Sequence, residues 1–530
     1  MSDTVVGEGG MVTAPHTAAA EAGAAVLAEG GNAIEATIAA AAAIAVVYPH
    51  MNGIGGDAFF LIAEPGRPPK AIDASGAAGS LATRARYAEA GYDVIPPRGA
   101  DAALTVAGAV SGWGLAAEIA ERLGGRVPRR DLLAEAVRLA GEGVAVSPSL
   151  ARTSASGRDH DVRLVPGFAA HYLADGQPLE QGARLVQERL ADTLERLAHA
   201  GFDDFYRGDV AATVAADLEA AGSPVTRDDL RAHAARLTDP LSVDIRGARL
   251  FNTPPPTQGV ASLILLALFD RLGVGRGEGF DHAHGLVEAA KIAIQVRDAE
   301  VADPAHAGDL DGYLDAAWLD RHAAAIDRRR ASAAPAVELA GDTVWLGAID
   351  RSGLAVSFIQ SLYWEFGSGL VLPRTGVVWQ NRGIAFSLDP AARNTLVPGR
   401  KPPHTLNPAL ARFSDGRVMV YGSMGGDGQP QFQAQVFTRH AHFGMDLGAA
   451  LDAPRWRLGR TWGSEATTLA LESRFDPDVV SALEAAGHAV TVLDEAYADG
   501  MGHAGAIVRR ADGRVSGASD PRSDGAAVAG

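Results

Sequence analysis

The sequence predicts a layered fold of the α+β class, with helices packed on the outer sides of sheets whose strands pair in the antiparallel direction. The first two thirds of the chain have mostly the helical spacing of apolar residues. From Thr343 onward, short β-branched or alternating runs separated by Gly, Asp and Asn predict strands. The connection Asp350-Arg351-Ser352-Gly353 is short enough for a hairpin, which requires antiparallel neighbours.

Individual elements follow from this spacing and from helix-ending or turn-forming residues. Helices are predicted at residues 17–30, 36–48, 131–143, 185–201, 210–221, 261–272, 431–443 and 477–486. Strands are predicted at residues 58–62, 343–349, 354–360, 377–379, 409–413, 418–421, 490–493 and 505–509. The helix at 36–48 is nearly all apolar, but its length of about 13 residues is short of the roughly 20 that cross a bilayer. It is therefore predicted to be buried.

Composition excludes several classes of function. The 530 residues carry a net charge of −17, which disfavours a broad nucleic-acid footprint or an anionic membrane surface. Cysteine is absent, so disulfides, zinc-thiolate sites, iron-sulfur clusters and a Cys nucleophile are excluded. A nucleophile must be sought among Ser, Thr, Lys or carboxylates. The first ten residues lack the basic and then apolar order of a secretory signal, so a cytoplasmic location is expected.

Two glycine-rich segments have competing interpretations. Gly53-Ile54-Gly55-Gly56 partly fits a dinucleotide fingerprint, but a strand follows it where a helix N-terminus is needed, so a tight turn is favoured. Residues 422–428 lie between a predicted strand and a predicted helix. Their amides could form an anion nest or an oxyanion hole, or the segment could be a flexible connection. No HExxH, P-loop or GxSxG motif is present, and we expect neither a metal nor a cofactor.

Thr343 is a candidate N-terminal nucleophile because it begins a predicted strand directly after the turn-forming pair Gly341-Asp342. If the Asp342–Thr343 bond is cut, Thr343 gains a free amine beside its own hydroxyl, so one residue holds both nucleophile and base. The Ala/Arg-rich residues 328–337 predict a mobile segment just before it, as a cleavage site requires. The alternative is an ordinary strand Thr.

A series of short motifs runs through essentially the whole chain. In order, they are Gly10-Met11-Val12, Glu29-Gly30-Gly31-Asn32-Ala33, Pro49-His50, Gly53-Ile54-Gly55-Gly56, Pro254-Pro255-Pro256, Thr343, Phe366-Gly367-Ser368-Gly369, Gly425-Gly426, Ala453-Pro454-Arg455 and Gly517-Ala518-Ser519-Asp520-Pro521-Arg522. Together they resemble the γ-glutamyltransferase (γ-glutamyltranspeptidase) family of N-terminal nucleophile hydrolases. Residues 380–383, 386–390, 403–408 and 422–431 resemble the amidohydrolase and acylase branch of that family.

This resemblance implies a four-layer αββα sandwich made as an inactive precursor. The precursor is expected to cut itself between Asp342 and Thr343 into a large subunit, residues 1–342, and a small subunit, residues 343–530. By the same resemblance, Thr343 Oγ attacks an amide carbonyl with its own α-amine as base. The amides of Gly425 and Gly426 stabilise the oxyanion, and Ser361 keeps a hydroxyl near the nucleophile.

The residues expected to bind the substrate differ from those of the family members that act on glutathione. Their Arg for the α-carboxylate corresponds to Ser75 here, their Ser-Ser pair to His404-Thr405, and their Asp for the α-ammonium falls near Ala385. The loss of a bidentate Arg contact argues against efficient γ-glutamyl recognition. Arg382 and His404 are candidates for binding a small carboxylate instead. The predicted substrate-binding residues are Ser75, Tyr363, Asn381, Arg382, His404 and Thr405.

The expected activity is the hydrolysis of a small acid amide, with oxamate going to oxalate and ammonia as the first choice. Three alternatives remain: a γ-glutamyl hydrolase or acyltransferase on glutathione-type amides, an acylase for larger amides, and a non-catalytic binding protein. The expected partners are a small-molecule substrate and the two subunits of one precursor, arranged as a heterodimer or a pair of heterodimers. Nucleic acid and membrane are not expected as partners.

Overall fold

Two seven-stranded antiparallel sheets stacked face to face form the centre of the fold. The computed structural model describes residues 3–156, 162–335, 341–460 and 467–530. The strands are β1 (Val5–Gly7), β2 (Gly10–Ala14), β3 (Asp57–Ala63), β4 (Lys70–Ala74), β5 (Val144–Ala145), β6 (Leu173–Ala174), β7 (Gln177–Pro178), β8 (Arg184–Leu185), β9 (Arg236–Thr238), β10 (Leu241–Ile245), β11 (Ala248–Asn252), β12 (Asp342–Asp350), β13 (Ala355–Tyr363), β14 (Ala409–Phe413), β15 (Val418–Ser423), β16 (Trp456–Arg460), β17 (Thr467–Leu471), β18 (Val490–Val492), β19 (Ala504–Arg509), β20 (Val515–Ser519) and β21 (Ala526–Ala529). One sheet has the order β1-β20-β19-β15-β14-β11-β10 and the other β21-β2-β12-β13-β3-β4-β9.

Helices cover the outer face of each sheet. They are α1 (Thr17–Ala28), α2 (Ala33–Val47), α3 (Arg84–Glu89), α4 (Ala109–Arg122), α5 (Arg129–Glu142), α6 (Pro148–Ala155), α7 (Phe168–Tyr172), α8 (Glu188–Ala200), α9 (Asp204–Arg207), α10 (Asp209–Ala221), α11 (Arg227–Ala232), α12 (Gly259–Leu272), α13 (Phe280–Glu300), α14 (Asp311–Leu314), α15 (Ala316–Ala325), α16 (Gln429–Phe437), α17 (Leu447–Asp452) and α18 (Pro477–Ala485). Helices α1, α2 and α4 pack on one sheet, and α5 packs on α2. Helices α12 and α16 pack on the other sheet, and α13 packs on both of these helices. The predicted α+β class and αββα layers are confirmed. No described helix is long and apolar enough to cross a membrane.

Strand β12 has apolar side chains on both faces because it lies between two cores. Val344 and Leu346 belong to the core beneath α1 and α2. Trp345 and Ile349 belong to the core between the two sheets. This alternation follows from the period of two in a strand, and burial on both faces explains why the run reads as almost continuously apolar. It also fixes the register of β12 strongly.

The predicted hairpin between β12 and β13 is confirmed, and Asp350 stabilises its turn. Asp350 Oδ1 accepts hydrogen bonds from the amides of Gly353 at 3.1 Å and Leu354 at 3.2 Å. Gly353 has a φ of +93°, a conformation that favours glycine. The other carboxylate oxygen accepts from the amide of Ala33 at 2.9 Å, where α2 begins. The turn therefore aligns the two strands and ties them to the helical layer.

The structure corrects three features of the predicted elements. The strand at residues 377–379 is wrong: Val378 makes an isolated bridge with Val371, and Trp379 exchanges hydrogen bonds with Ser368 and Leu370 inside a loop. The helix at 431–443 ends earlier, at Phe437, and one π-helical turn continues to His442. The long helix α13 was not predicted. Residues 336 and 337, the end of the predicted mobile segment, lie outside the described residues.

We predict that Gly505→Ala destabilises the protein, because a Cβ at this position would lie 2.5 Å from the ring of Trp345 between the sheets. Overpacking of this kind costs about 1–3 kcal/mol. Thermal unfolding should give a lower Tm for the variant than for the parent protein. Gly275→Ala is the matched control, since a Cβ there meets no atom within 4 Å. Equal Tm values for the two variants would contradict this description of the inter-sheet packing.

Candidate active site

Thr343 lies at an irregularity in the β12–β13 ladder. Asp342 pairs with Tyr363 and Val344 pairs with Gln360, so one residue of β12 faces two residues of β13. This is the arrangement of a β-bulge, which re-aims side chains near functional sites. The Thr343 side chain is almost completely buried, with the residue 1% exposed.

Ser361 connects the Thr343 hydroxyl with the carbonyl group of the predicted cleavage bond. Thr343 Oγ1 donates to Ser361 Oγ at 3.3 Å, and Ser361 Oγ donates to the carbonyl oxygen of Asp342 at 2.5 Å. The amide of Tyr363 donates to Ser361 Oγ at 2.8 Å, which fixes the hydroxyl in place. The predicted nucleophile, the predicted partner hydroxyl and the predicted cleavage site therefore form one hydrogen-bonded chain.

Gln429 also contacts the nucleophile, and sequence reasoning missed it. Its Nε2 donates to Thr343 Oγ1 at 3.5 Å, and its Oε1 accepts from Asn407 Nδ2 at 3.2 Å. Gln429 is the first residue of α16 and is fully buried. A glutamine at the start of a helix carries no distinctive sequence signal, so only the fold identifies this contact.

The glycine turn before α16 presents two free amides. Gly425 and Gly426 have φ values of +115° and +52°. A Cβ at Gly425 would lie 2.6 Å from the ring of Phe432, so this position requires glycine. Among the described residues, neither amide donates to a protein acceptor. Such a turn can provide an oxyanion hole, which was one of the two interpretations left open.

A cavity of about 250 Å³ is lined by Asp427, which follows the glycine turn, and by Tyr363, which pairs with Asp342. Its lining includes Gln258, Arg297, Tyr363, Arg382, His404, Thr405 and Asp427. Four of the six predicted substrate-binding residues are therefore brought together at one surface. Ala385 also lines the cavity, so the position expected for an ammonium-binding Asp is apolar.

Arg382 carries a buried charge that no carboxylate neutralises directly among the described residues. Its guanidinium carbon lies 3.4 Å from the centre of the Tyr363 ring, and Nη1 donates to Thr405 Oγ1 at 3.0 Å. Nε has no partner in the described part of the chain. Burial lowers the pKa of Arg382, and the neighbouring Tyr363 opposes that effect. The other cavity arginines differ, since Arg297 pairs with Asp427 and Arg393 with Glu300.

His404 is held by a buried carboxylate rather than free to carry charge. Its Nε2 lies 3.1 Å from Asp57 Oδ2, and the amide of Leu406 donates weakly to Nδ1. The proton is therefore assigned to Nε2, which donates to Asp57. Burial lowers the pKa of His404 well below its usual value. A neutral His404 contributes a polar surface to the cavity wall but no charge. The positive charge of the wall comes from Arg382.

Asp57 is the centre of this buried network. Its Oδ1 accepts hydrogen bonds from the amides of Gly76 at 3.0 Å and Gly108 at 3.1 Å, and from Gln380 Nε2 at 3.0 Å. Burial raises the pKa of Asp57 to about 7, and the hydrogen bonds from Gln380 and Gly76 oppose the rise. Asp57 also begins β3 directly opposite Ser361 of β13. It thus joins the His404 wall to the strand that supports Thr343.

The two remaining predicted substrate-binding residues do not line the cavity. Ser75 Oγ donates to Asp73 Oδ1 at 2.6 Å. Asn381 Oδ1 accepts from the amide of Trp364 at 3.1 Å, and Asn381 Nδ2 donates to the carbonyl oxygen of Pro97 at 3.0 Å. Both side chains are buried and engaged by protein groups, so they support the backbone around the cavity.

Protein contacts account for two other clusters that contain glycines or metal-binding residue types. At Gly55 and Gly56, a Cβ would overlap the carbonyl oxygens of Val378 and Ser361, so the glycines serve a close backbone approach. The described residues also contain the group His284, Glu288 and His488. Lys291 donates to Glu288 Oε1 at 2.6 Å, and both ring nitrogens of His284 are hydrogen-bonded. The polar atoms of that group are therefore satisfied by protein contacts.

Comparisons with known proteins agree with this arrangement. The profile of the Gamma-glutamyltranspeptidase family matches residues 19–530. The chain belongs to this family. It is 51% identical to an oxamate amidohydrolase proenzyme from Klebsiella pneumoniae subsp. pneumoniae, over all of both chains. It is 39% identical to the glutathione hydrolase-like YwrD proenzyme of Bacillus subtilis, again over all of both chains.

Solved structures of the gamma-glutamyltranspeptidase family and its acylases share the fold. The cephalosporin acylase from Bacillus halodurans superposes with a TM-score of 0.90 at 32% identity, covering 99% of this chain and 96% of the acylase. The protein is therefore a hydrolase, an amidohydrolase of the transpeptidase and acylase group. The oxamate amidohydrolase of Klebsiella pneumoniae and a glutathione hydrolase of Escherichia coli are both proenzymes.

We predict that Asp57→Asn reduces the pH dependence of stability. A carboxyl whose pKa is raised on folding contributes stability at about pH 4 and below, and this contribution is lost as the pH rises through about 7. The parent protein should lose about 1–4 kcal/mol more than the variant between pH 4 and pH 8. Thermal unfolding across this range measures the difference. Parallel Tm profiles for parent and variant would contradict the assignment.

Proposed function

We propose that this protein is a self-processing amidohydrolase that uses Thr343 to hydrolyse the amide of a small carboxylic acid, with oxamate as the best candidate. The observation that carries the proposal is Arg382, a buried arginine with no directly bonded carboxylate in the described part of the chain. It lines a cavity of about 250 Å³ together with Tyr363, which pairs with Asp342 next to Thr343. Arg382 binds the substrate carboxylate, and the amide carbonyl lies toward Thr343. Similarity to the oxamate amidohydrolase of Klebsiella supports the same choice.

Self-processing begins with attack of Thr343 Oγ on the carbonyl carbon of Asp342. The hydroxyl proton passes through Ser361, which already donates to the oxygen that gains negative charge. The proton is delivered to the Thr343 nitrogen as the Asp342–Thr343 C–N bond breaks, which leaves an ester between the Asp342 carbonyl carbon and Thr343 Oγ. Water then hydrolyses the ester, leaving a new carboxylate on Asp342 and a free amine and hydroxyl on Thr343. The products are the chains 1–342 and 343–530.

Turnover uses the new α-amine as the base. An unperturbed α-amine has a pKa of about 7.7–8.0, so it can accept the Thr343 hydroxyl proton near neutral pH. Oγ attacks the amide carbon, and the amides of Gly425 and Gly426 donate to the resulting oxyanion. The C–N bond breaks as the amine returns the proton to the leaving ammonia. Water then attacks the ester, which releases oxalate and restores Thr343.

The charges around the cavity favour an acid without an amino group. Asp427 is paired with Arg297 at 2.7 Å, and Asp57 is paired with His404 at 3.1 Å. Neither carboxylate is left to bind an ammonium group, and Ala385 contributes no charge. Oxamate has one carboxylate, one amide and no amine, which matches this arrangement.

A second candidate is hydrolysis or transfer of γ-glutamyl amides, supported by the 39% identity to the glutathione hydrolase-like protein. The assay that separates the candidates measures ammonia release from oxamate beside cleavage of γ-glutamyl-p-nitroanilide. Intact mass of the same sample reports whether a chain begins at Thr343. Turnover of oxamate alone supports the proposal, and cleavage of the γ-glutamyl substrate alone supports the second candidate.

We predict that Thr343→Ala abolishes both chain cleavage and amide hydrolysis, because one hydroxyl performs both attacks. The variant should give a single band for the 54.7 kDa chain and no ammonia above background. Thr343→Ser retains a hydroxyl and should retain cleavage at a reduced rate. Processing or turnover by the Ala variant would contradict the proposed nucleophile.

We predict that Arg382→Met raises KM for oxamate roughly 10- to 100-fold. The variant loses a charge-assisted hydrogen bond to the substrate carboxylate, and such a bond changes affinity by about this factor. The parent enzyme should prefer oxamate over its neutral analogue oxamide, and the variant should lose that preference. Arg86→Met is the control, since this partly buried arginine is paired with Asp101 and does not line the cavity. An unchanged preference for the charged substrate in Arg382→Met would contradict the role of Arg382.

A further inference from the structure

The glycine turn that carries the free amides is held from the other predicted subunit. Gln258, at the start of α12, donates through Nε2 to the carbonyl oxygen of Gly426 at 2.9 Å. The same Nε2 donates to the carbonyl oxygen of Thr405 at 2.7 Å. Gln258 is 1% exposed, so water does not compete for these bonds. One side chain of residues 1–342 thus joins the oxyanion turn to the cavity wall.

Arg297 of α13 holds the next residue of the turn. Its Nη1 donates to Asp427 Oδ1 at 2.7 Å and to Gln258 Oε1 at 3.1 Å. The Arg297 and Asp427 side chains are 11% and 20% exposed, so the ion pair is largely shielded from solvent. Gln258, Arg297 and Asp427 therefore form a closed hydrogen-bonded set, which we call the clamp.

The turn needs this external support because its own residues are flexible. Gly425 and Gly426 both adopt positive φ, and glycine has more accessible backbone conformations than any other residue. Within the turn, the amide of Gly428 donates to the carbonyl oxygen of Gly425 at 2.8 Å. Oxyanion donors work only when they lie at about 2.7–3.1 Å from the developing charge. Holding the Gly426 carbonyl and the Asp427 side chain restricts where the two amides point.

We infer that Gln258 and Arg297 are positioning residues that orient the Gly425–Gly426 oxyanion turn across the subunit boundary. Neither residue touches the reacting atoms in this role. The small subunit supplies the nucleophile and the amides, and the large subunit sets the geometry of the amides. The inference rests on the proposed acyl-enzyme mechanism at Thr343. It adds that transition-state stabilisation depends on two side chains of the large subunit.

The kinetic test uses Gln258→Met and Arg297→Met, which keep similar side-chain volumes and remove the hydrogen bonds. Each should lower kcat for oxamate roughly 10- to 100-fold. This loss should exceed any rise in KM that comes from the altered cavity lining, because Arg382 still binds the carboxylate. Chain cleavage should continue, since Ser361 rather than the turn contacts the Asp342 carbonyl. Arg297→Lys should recover part of kcat. If the clamp acts as a unit, the double variant should lose about as much kcat as the single variant with the larger loss.

Arg271→Met is the matched control, because Arg271 is an ion-paired large-subunit arginine that contacts Asp320 and not the turn. Its kcat should remain within about 2-fold of the parent value. A rise in KM alone, or unchanged kcat in both clamp variants, would overturn the inference.

A second measurement does not depend on the substrate. Crystal structures of the parent and the two clamp variants should show the Gly425–Gly426 amides displaced or poorly ordered in the variants. An unmoved turn in both variants would overturn the inference. If the parent protein hydrolyses neither oxamate nor γ-glutamyl-p-nitroanilide, the proposed function fails, and the position of the turn still decides whether the clamp exists.

Discussion

The antiparallel pairing of β12 with β13 is the constraint on which the candidate site depends. Both strands are buried on both faces, and the Asp350 turn fixes their register. At the far end of the pair, the ladder becomes irregular at Thr343. This irregularity allows the Thr343 hydroxyl, the Ser361 hydroxyl and the Asp342 carbonyl to meet in one hydrogen-bonded chain.

The rest of the site is assembled around that point from both predicted subunits. Residues before Asp342 contribute Asp57, which holds His404, and two members of the clamp, Gln258 and Arg297. Residues after it contribute Thr343 and the glycine turn. In the proposed mechanism, cleavage frees an amine inside a structure whose polar contacts already cross the boundary.

Local features of the sequence predicted much of the fold, and the family resemblance predicted the layers. The β12–β13 hairpin could be predicted because its turn chemistry and its strands are adjacent in the chain. The helix α13 could not be predicted, because its buried positions include His282, Glu288 and Lys291. These polar residues interrupt the apolar stripe that identifies a helix. The strand predicted at 377–379 failed because a short apolar run does not specify a partner strand.

The residues of the candidate site likewise divide into those that local sequence patterns predict and those that only the fold brings together. Thr343 and the Gly425–Gly426 turn stand in recognisable local patterns. The pairing of Asp57 with His404 joins residues 347 positions apart, so no local pattern contains it. Ser75 was predicted to bind substrate because it corresponds to the Arg of the family members that act on glutathione. Its hydroxyl instead donates a hydrogen bond to Asp73. The contacts of Gln429 and Gln258 depend on three-dimensional packing, since buried glutamines have no chemical signature in sequence.

The most direct test of the account is a search for the acyl-enzyme. Purified, processed protein would be mixed with oxamate, quenched with acid within one turnover and digested for peptide mass spectrometry. The proposed mechanism predicts an oxalyl group on the peptide that begins with Thr343, with a half-life that matches turnover. Ammonia release without any adduct on that peptide, or an oxalyl group on another residue, would contradict the central claim that Thr343 is the nucleophile.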